Sequence, residues 1–163
     1  MTAPTSDPKR EMLRHTLATI AYRGGKAIRD APEGFAAFRC GSSSRSAGEI
    51  LAHIGDLLDW SLSIAKGKQS WKSSEPLPWE SESARFFVAL KNLDDYLASD
   101  EPLQVLAERL FQAPIADSLT HIGQIAMLRR MAGVPLKGEN FFVAKIDIGR
   151  VGAEQIAPKT EFD

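Results

Sequence analysis

Apolar residues recur every three or four positions along most of the chain, which is the spacing of helices that bury one face. The first such stretch follows Asp7-Pro8, a pair typical of a helix start because Asp caps the helix end and Pro suits its first turn. We expect this helix to fade near Gly24-Gly25 or to continue to Ala31, before Pro32. The residues at this helical spacing are Met12, Leu13, Thr16, Leu17, Ile20 and Ala21.

A second helix is predicted after a Gly/Ser-rich loop over residues 32–45. Ser46 and Glu49 fit a capping box, in which each side chain binds a backbone N–H of the other residue. The helix is expected to end at Gly67, which suits the position just beyond a helix. Its apolar period consists of Ile50, Leu51, Ile54, Leu57, Leu58 and Ile64, with Ser61 in the same period.

Two further long helices are predicted beyond a loop at residues 67–80. The third runs from about Ser81 to Ala98, and a shorter helical segment restarts at residues 99–102. Pro114 is expected to begin the last long helix, which ends at Gly133-Val134-Pro135. The apolar positions are Phe86, Phe87, Leu90, Leu93 and Leu97 in the third helix, and Leu103, Leu106 and Leu110 in the shorter segment.

Four principal helices with long first and second connections predict an all-α four-helix bundle that is not a simple up-down-up-down bundle. The length of 163 residues suits one domain over residues 1–163. Residues 136–163 have no strong period and are expected to form an extended tail packed on the bundle.

Composition and charge exclude several functions. A net charge of −1 gives no support to nucleic-acid binding, and no apolar run approaches the roughly 20 residues of a membrane span. The polar N-terminal residues 1–8 do not resemble a signal peptide. Cys40 is the single cysteine, so an internal disulfide is excluded. We therefore expect a cytoplasmic protein.

Three side chains in this pattern suit a metal site. His53 lies in an apolar helical stretch, and Asp117 and His121 are four residues apart, on one helix face. If the two helices pack together, two imidazoles and a carboxylate converge, a set that holds a divalent metal and leaves positions open. Read singly, each histidine also suits a buried, hydrogen-bonded side chain. His15 lies among charged residues and is expected at the surface.

The segments Arg45–His53 and Asp117–Arg129 resemble the DinB/YfiT-like superfamily, and the likeness covers roughly residues 10–135. The resemblance implies a four-helix bundle whose metal is held by one His on helix two and a His-x-x-x-His pair on the last long helix. Ile122-Gly123-Gln124 matches the family's usual Arg-Gly-Gln or a similar sequence after the second His of the pair.

Asp117 departs from this family pattern, because it stands where the first His of the pair is usual. A carboxylate still binds Zn, Ni, Mn or Fe, and a His/Glu/His set occurs in the mycothiol-dependent maleylpyruvate isomerase branch. Aspartate is shorter, however, so the alternatives to ligation by Asp117 are an N-cap after Pro114 and a position next to a ligand. Ligation and these alternatives stay open at the level of the sequence.

The residues around these three have simpler interpretations. Gln124 shares the face of His121 and either orients it or makes a helix–helix hydrogen bond, which we favour slightly. Gly123 is interpreted as allowing close helix packing, and Cys40 is not expected to be a catalytic thiol. Asp56 and Asp59 are expected on a solvated face. For the tryptophans Trp60, Trp71 and Trp79, anchoring of core or loops is favoured over lining a pocket mouth.

Two functions follow. The first is a metal-dependent hydrolase, isomerase or thiol transferase, with Zn or Ni at His53, His121 and Asp117 and a small-molecule substrate. The resemblance adds low-molecular-weight thiols as reactants. The second is a non-catalytic or degenerate metal-binding bundle with a structural or stress-associated role. An interaction scaffold would need an exposed apolar helix face, which the pattern does not identify. Family analogy and the frequency of symmetric dimers predict a homodimer.

Overall fold

A computed structural model describes residues 7–162 of the protein, and it is mostly helical. The polar segment at residues 1–6, used above for the signal-peptide expectation, lies outside the described residues. The helices are α1 (Pro8–Ile28), α2 (Ala47–Ala65), α3 (Trp79–Ala98), α4 (Ala107–Leu110) and α5 (Ala116–Met131).

The four long helices pack around a shared core. Helices α1 and α2 each contact both α3 and α5, so α1 and α2 lie diagonally across the arrangement. At Gly24 of α1, a Cβ atom would lie 2.6 Å from Cζ of Phe86 on α3, so the helices approach closely because glycine has no side chain there. The predicted all-α architecture is confirmed at this level. The largest fully buried side chains are Leu17, Ile20, Leu51, Ile54, Leu58, Phe86, Leu90, Leu93, Leu97, Leu110, Ile115 and Ile125.

The predicted start of α1 and both predicted ends of α2 are found. Asp7 accepts a hydrogen bond from the Lys9 backbone N–H at 3.0 Å, as an N-cap does. Ser46 and Glu49 form the full capping box, with contacts of 2.6 and 3.2 Å. Gly67 follows α2 with φ of +72°, a conformation that glycine adopts without steric cost.

The prediction for the start of the last long helix is wrong. Pro114 lies inside a π-helical turn, Phe111–Ile115, which joins α4 to α5. Proline lacks an N–H and disrupts a regular α-helix, and a π-turn changes the local hydrogen-bond register. The Ser118 hydroxyl donates to the Pro114 carbonyl at 2.8 Å.

Two smaller boundaries also differ. Leu103 and Leu106 precede α4 in irregular chain, so the shorter helix begins later than its apolar pattern suggested. Helix α1 ends at Ile28, beyond Gly24-Gly25 but short of Ala31.

The segment after α5 is mainly irregular and crosses α1. Two short strands, β1 (Gly138–Glu139) and β2 (Glu161–Phe162), pair antiparallel. Two 3₁₀ turns lie at Phe35–Ala37 and Phe141–Val143. Tyr22 and Lys26 of α1 both donate to the buried Glu139 carboxylate, Lys26 at 2.8 Å. None of the described helices is both long and apolar enough to cross a bilayer.

Candidate metal centre

Helices α2 and α5 bring the two predicted histidines into contact. The ring centroids of His53 and His121 are 4.7 Å apart, and the ring planes are at 85°. Bonds from histidine to such metals are only about 2 Å long, so a separation beyond about 10 Å would have excluded a shared ion. The observed distance permits one.

Asp117 joins the pair from the same face of α5. Its Oδ1 lies 3.5 Å from Nε2 of His121, and one donor atom from each of the three residues lies within 4.8 Å of the others. Metal bonds of about 2.1 Å allow donors to be at most about 4.2 Å apart. Donors as far apart as 4.8 Å must therefore close by about 0.6 Å before they bind one ion. Asp117 can make that movement, because 47% of its side chain is exposed.

Asp117 is not a helix cap. Helix α5 is preceded by Ile115, which makes no side-chain capping hydrogen bond, and Asp117 lies within the first turn of the helix. The N-cap role that the sequence left open for Asp117 is therefore excluded. Asp117 lies at the histidine pair, where a role as ligand or next to a ligand remains.

Gln124 orients the ring of His121. The Oε1 atom of Gln124 lies 2.8 Å from Nδ1 of His121, one helical turn along α5. An amide oxygen can only accept, so Nδ1 donates to it, and in a neutral ring the lone pair is then on Nε2. That nitrogen is the one near Asp117. The favoured helix–helix bond was the wrong interpretation, because the two residues share a helix and Gln124 fixes the tautomer that a metal needs.

His53 is held in its neutral form by its surroundings. Its pKa is lowered from the usual value, first by burial, then by the positive charge of Arg45 and by His121. The ring of Trp71 packs against it edge-on at a centroid distance of 5.7 Å. A neutral imidazole at pH 7 has the lone pair that metal binding requires.

A set of ion pairs lies one turn further along α2. Asp56 is buried, and it accepts a hydrogen bond from Arg85 at 2.5 Å and from the Ser74 backbone N–H at 2.9 Å. Arg85 also contacts Asp59 at 3.1 Å and Glu82 at 3.5 Å. We call these four side chains, Arg85, Asp56, Asp59 and Glu82, the Arg85 cluster.

The Arg85 cluster corrects one expectation and adds a role for a loop. Asp56 was expected on a solvated face but is buried with its partners, whereas Asp59 is exposed as predicted. Ser74 belongs to the loop that carries Trp71, so the bond from Ser74 to Asp56 holds this loop against α2 beside His53.

The tryptophans divide between the two roles considered for them. Trp79 anchors core and loop, since its ring packs on Phe35 at 5.3 Å and its indole donates to the Ile28 carbonyl at 3.3 Å. Trp71 instead packs edge-on against both His53 and Trp60, with 47% of its surface exposed, and so lies beside the histidine pair.

Two clefts flank the histidine pair. One, of about 230 Å³, is lined by His53 and the loop at residues 73–76, and the other, of about 330 Å³, by His121 and Gln124. Arg45 lines both clefts. Nothing in the sequence pattern marks Arg45 as a functional residue, although its place next to the Ser46 cap fixes it close to the start of α2.

The remaining expectations concern Gly123, His15 and Cys40. A Cβ at Gly123 would meet no atom within 4 Å, so the proposed role in close helix packing is wrong. His15 is exposed, as predicted. Cys40 is exposed and lines the cleft next to His121.

Comparison with known proteins adds no relative: no protein-family model, curated protein or solved structure matches the chain.

Proposed function

We propose that His53, His121 and Asp117 bind one divalent metal, zinc or nickel, with water completing the coordination. The observation that carries this proposal is the convergence of the three donors, with the His121 ring oriented by Gln124. Nitrogen and carboxylate donors of this kind suit both ions. Membership of the DinB/YfiT-like superfamily, suggested by the sequence, stays a prediction and agrees with this placement.

The bound metal would support chemistry on a small molecule. Three protein ligands leave coordination positions for water or substrate, and the ion polarises a carbonyl or lowers the pKa of a bound water or thiol. The two clefts give access to these positions from both sides. The reactions that fit are hydrolysis, isomerisation and thiol transfer. A cytoplasmic location and a homodimer are the accompanying predictions, and no nucleic acid is part of the proposal.

A second candidate is a bundle in which the histidine pair has only a structural or metal-storage role. The 4.8 Å spread of the donors and the exposure of Asp117 favour it, because a preformed catalytic site usually holds its ligands closer. The two candidates differ in one property: only the enzyme has an exchangeable coordination position that accepts a substrate atom.

Cobalt(II) is the probe that separates these candidates. It replaces zinc in such sites, and its visible absorption depends on ligand number and type. Adding cysteine to the cobalt-loaded protein should produce a thiolate-to-cobalt charge-transfer band if an open position exists. We expect this band in the wild type and in His15→Ala, which changes an exposed histidine, and its loss in His53→Ala/His121→Ala.

The outcomes assign the function. A cobalt spectrum that cysteine does not change favours the non-catalytic bundle. An unchanged cobalt spectrum in the double variant means that the metal binds elsewhere, and it overturns the proposed site.

A further inference from the structure

The cleft beside His121 combines apolar walls with one positive charge. Four apolar side chains and His121 surround it, and Cys40, Ser44 and Gln124 add small polar groups. Arg45 is the only charged residue among those that line it. The apolar side chains are Ile50, Met127, Leu128 and Met131.

The two methionines form an adaptable surface. Met127 is 56% exposed and Met131 is 52% exposed, on consecutive turns of α5. Methionine side chains are flexible and polarisable, so they adjust to apolar ligands of different shape. An apolar group that enters the cleft would cover both side chains.

Arg45 is available to a ligand. Within residues 7–162, no carboxylate forms an ion pair with it, and its side chain is exposed. The nearest acid in sequence, Glu49, is already engaged, since it accepts from the Ser46 backbone N–H at 2.6 Å and lies 3.4 Å from Arg39. A guanidinium that lines a cleft and has no ion-pair partner is suited to bidentate binding of a carboxylate or phosphate.

The cleft on the other side, beside His53, is a poorer place for an anion. Its lining includes three carboxylates, Glu49, Asp56 and Glu75, in addition to Arg45. Carboxylates repel an anionic ligand. The cleft beside His121 has no carboxylate among its lining residues, so it is the better place for an anion.

We propose that this cleft binds a small amphipathic anion, with its charged end on Arg45 and its apolar end on Met127 and Met131. This inference rests on the proposed function, because it names the substrate class of the same site. Besides its charged and apolar ends, the ligand would have a further group that reaches the metal beside His121. Arg45 then determines specificity by selecting anionic over neutral molecules.

The test uses hexanoate as the probe and hexanamide as its neutral counterpart. Protein labelled with ¹³C in the methionine methyls is titrated with each compound, first without metal and then with zinc. Hexanoate should move the methyl signals of Met127 and Met131 and leave that of Met12, which lies on α1 and lines a different cavity. Hexanamide should bind more weakly by roughly fivefold, the value of one exposed ion pair.

Two arginine variants provide the matched comparison. Arg45→Gln should weaken hexanoate binding by roughly fivefold, whereas Arg109→Gln removes the same charge from α4, which lines neither cleft beside the histidine pair, and should leave the affinity unchanged. Both arginines are exposed, so neither change removes a core contact. The Met12 signal reports that the fold is kept.

Three results would overturn the inference: no shift of Met127 or Met131 up to about 10 mM hexanoate, equal binding of hexanamide, or equal loss of affinity in the two arginine variants.

The titrations with and without zinc distinguish this inference from the metal proposal. Hexanoate binding that depends on Arg45 in a protein that does not bind zinc supports the anion cleft and overturns the metal proposal. Binding that needs zinc and ignores Arg45→Gln places the carboxylate on the metal, which supports the metal proposal and overturns the role of Arg45.

Discussion

His53 and Asp56 lie one turn apart on α2, yet they belong to two different kinds of polar site. Asp56 is in the Arg85 cluster, where one guanidinium meets carboxylates and the Ser74 N–H. His53 faces His121 and Asp117, so two imidazoles and a carboxylate lie together. We call His53, His121 and Asp117 the histidine cluster.

The two clusters differ in how their polar groups are balanced. In the Arg85 cluster each charge meets an opposite charge, which is how buried ions become tolerable in a fold. In the histidine cluster the donor atoms of the three side chains lie within 4.8 Å of one another, and a proton or a cation shared between them would satisfy them together. If this comparison is correct, changes in the first cluster affect stability and changes in the second affect metal binding.

The largest effect is expected in the Arg85 cluster. Arg85→Ala leaves the Asp56 carboxylate, 4% exposed, without its counter-charge, and should lower the free energy of unfolding by about 2 kcal/mol. Urea denaturation measures this change. Lys91→Ala is the control, because it breaks an exposed pair with Asp95 and should cost less than about 0.5 kcal/mol. Equal stability of Arg85→Ala and wild type would end the structural interpretation of this cluster.

The histidine cluster should show the reverse behaviour. His121→Ala is expected to weaken zinc binding more than about tenfold, since two remaining ligands rarely hold the ion against water. Its unfolding free energy should change less than that of Arg85→Ala. His15→Ala removes an exposed histidine and should bind zinc like the wild type. Competition with a coloured zinc chelator measures all three affinities.

Asp117 should contribute less than either histidine. Its side chain is 47% exposed against 13% for His121, so water screens its charge. We expect Asp117→Asn to lower zinc affinity about threefold. A loss as large as that of His121→Ala would make Asp117 a full ligand, and no loss would remove it from the coordination sphere.

The smallest expected effect concerns pH. Burial and Arg45 both lower the pKa of His53, so the ring loses its proton more easily than usual. Protons therefore compete less with zinc for this nitrogen as pH falls toward 6.5. In Arg45→Gln the pKa of His53 should rise but stay below 6.5, because burial remains. Imidazole NMR signals followed against pH measure this shift, and Arg109→Gln, on α4 away from both clefts, is the charge-matched control. An unchanged His53 titration in Arg45→Gln would contradict the cause assigned here.

The sequence was sufficient where structure depends on local pattern. The capping box at Ser46 and Glu49 and the shared face of Asp117 and His121 follow from spacing along one helix, and both are observed. The contact between His53 and His121 needed one further assumption, that the two helices pack together, which is also observed.

What the sequence could not provide depends on contacts between distant segments. The partner of Asp56 is Arg85 on another helix, so spacing on α2 indicated only a polar position. Arg45 and Trp71 lie in connections without a period, and only the folded chain brings them to the histidine cluster. Pro114 was misread because a π-turn accommodates a proline that would otherwise indicate a helix start.

Calorimetric titration of zinc into the metal-free protein tests the central claim most directly. The account predicts saturable binding of one zinc per chain in the wild type, and loss of that binding in His53→Ala/His121→Ala. Wild type and double variant that bind zinc equally, or a wild type with no saturable heat, would contradict the account.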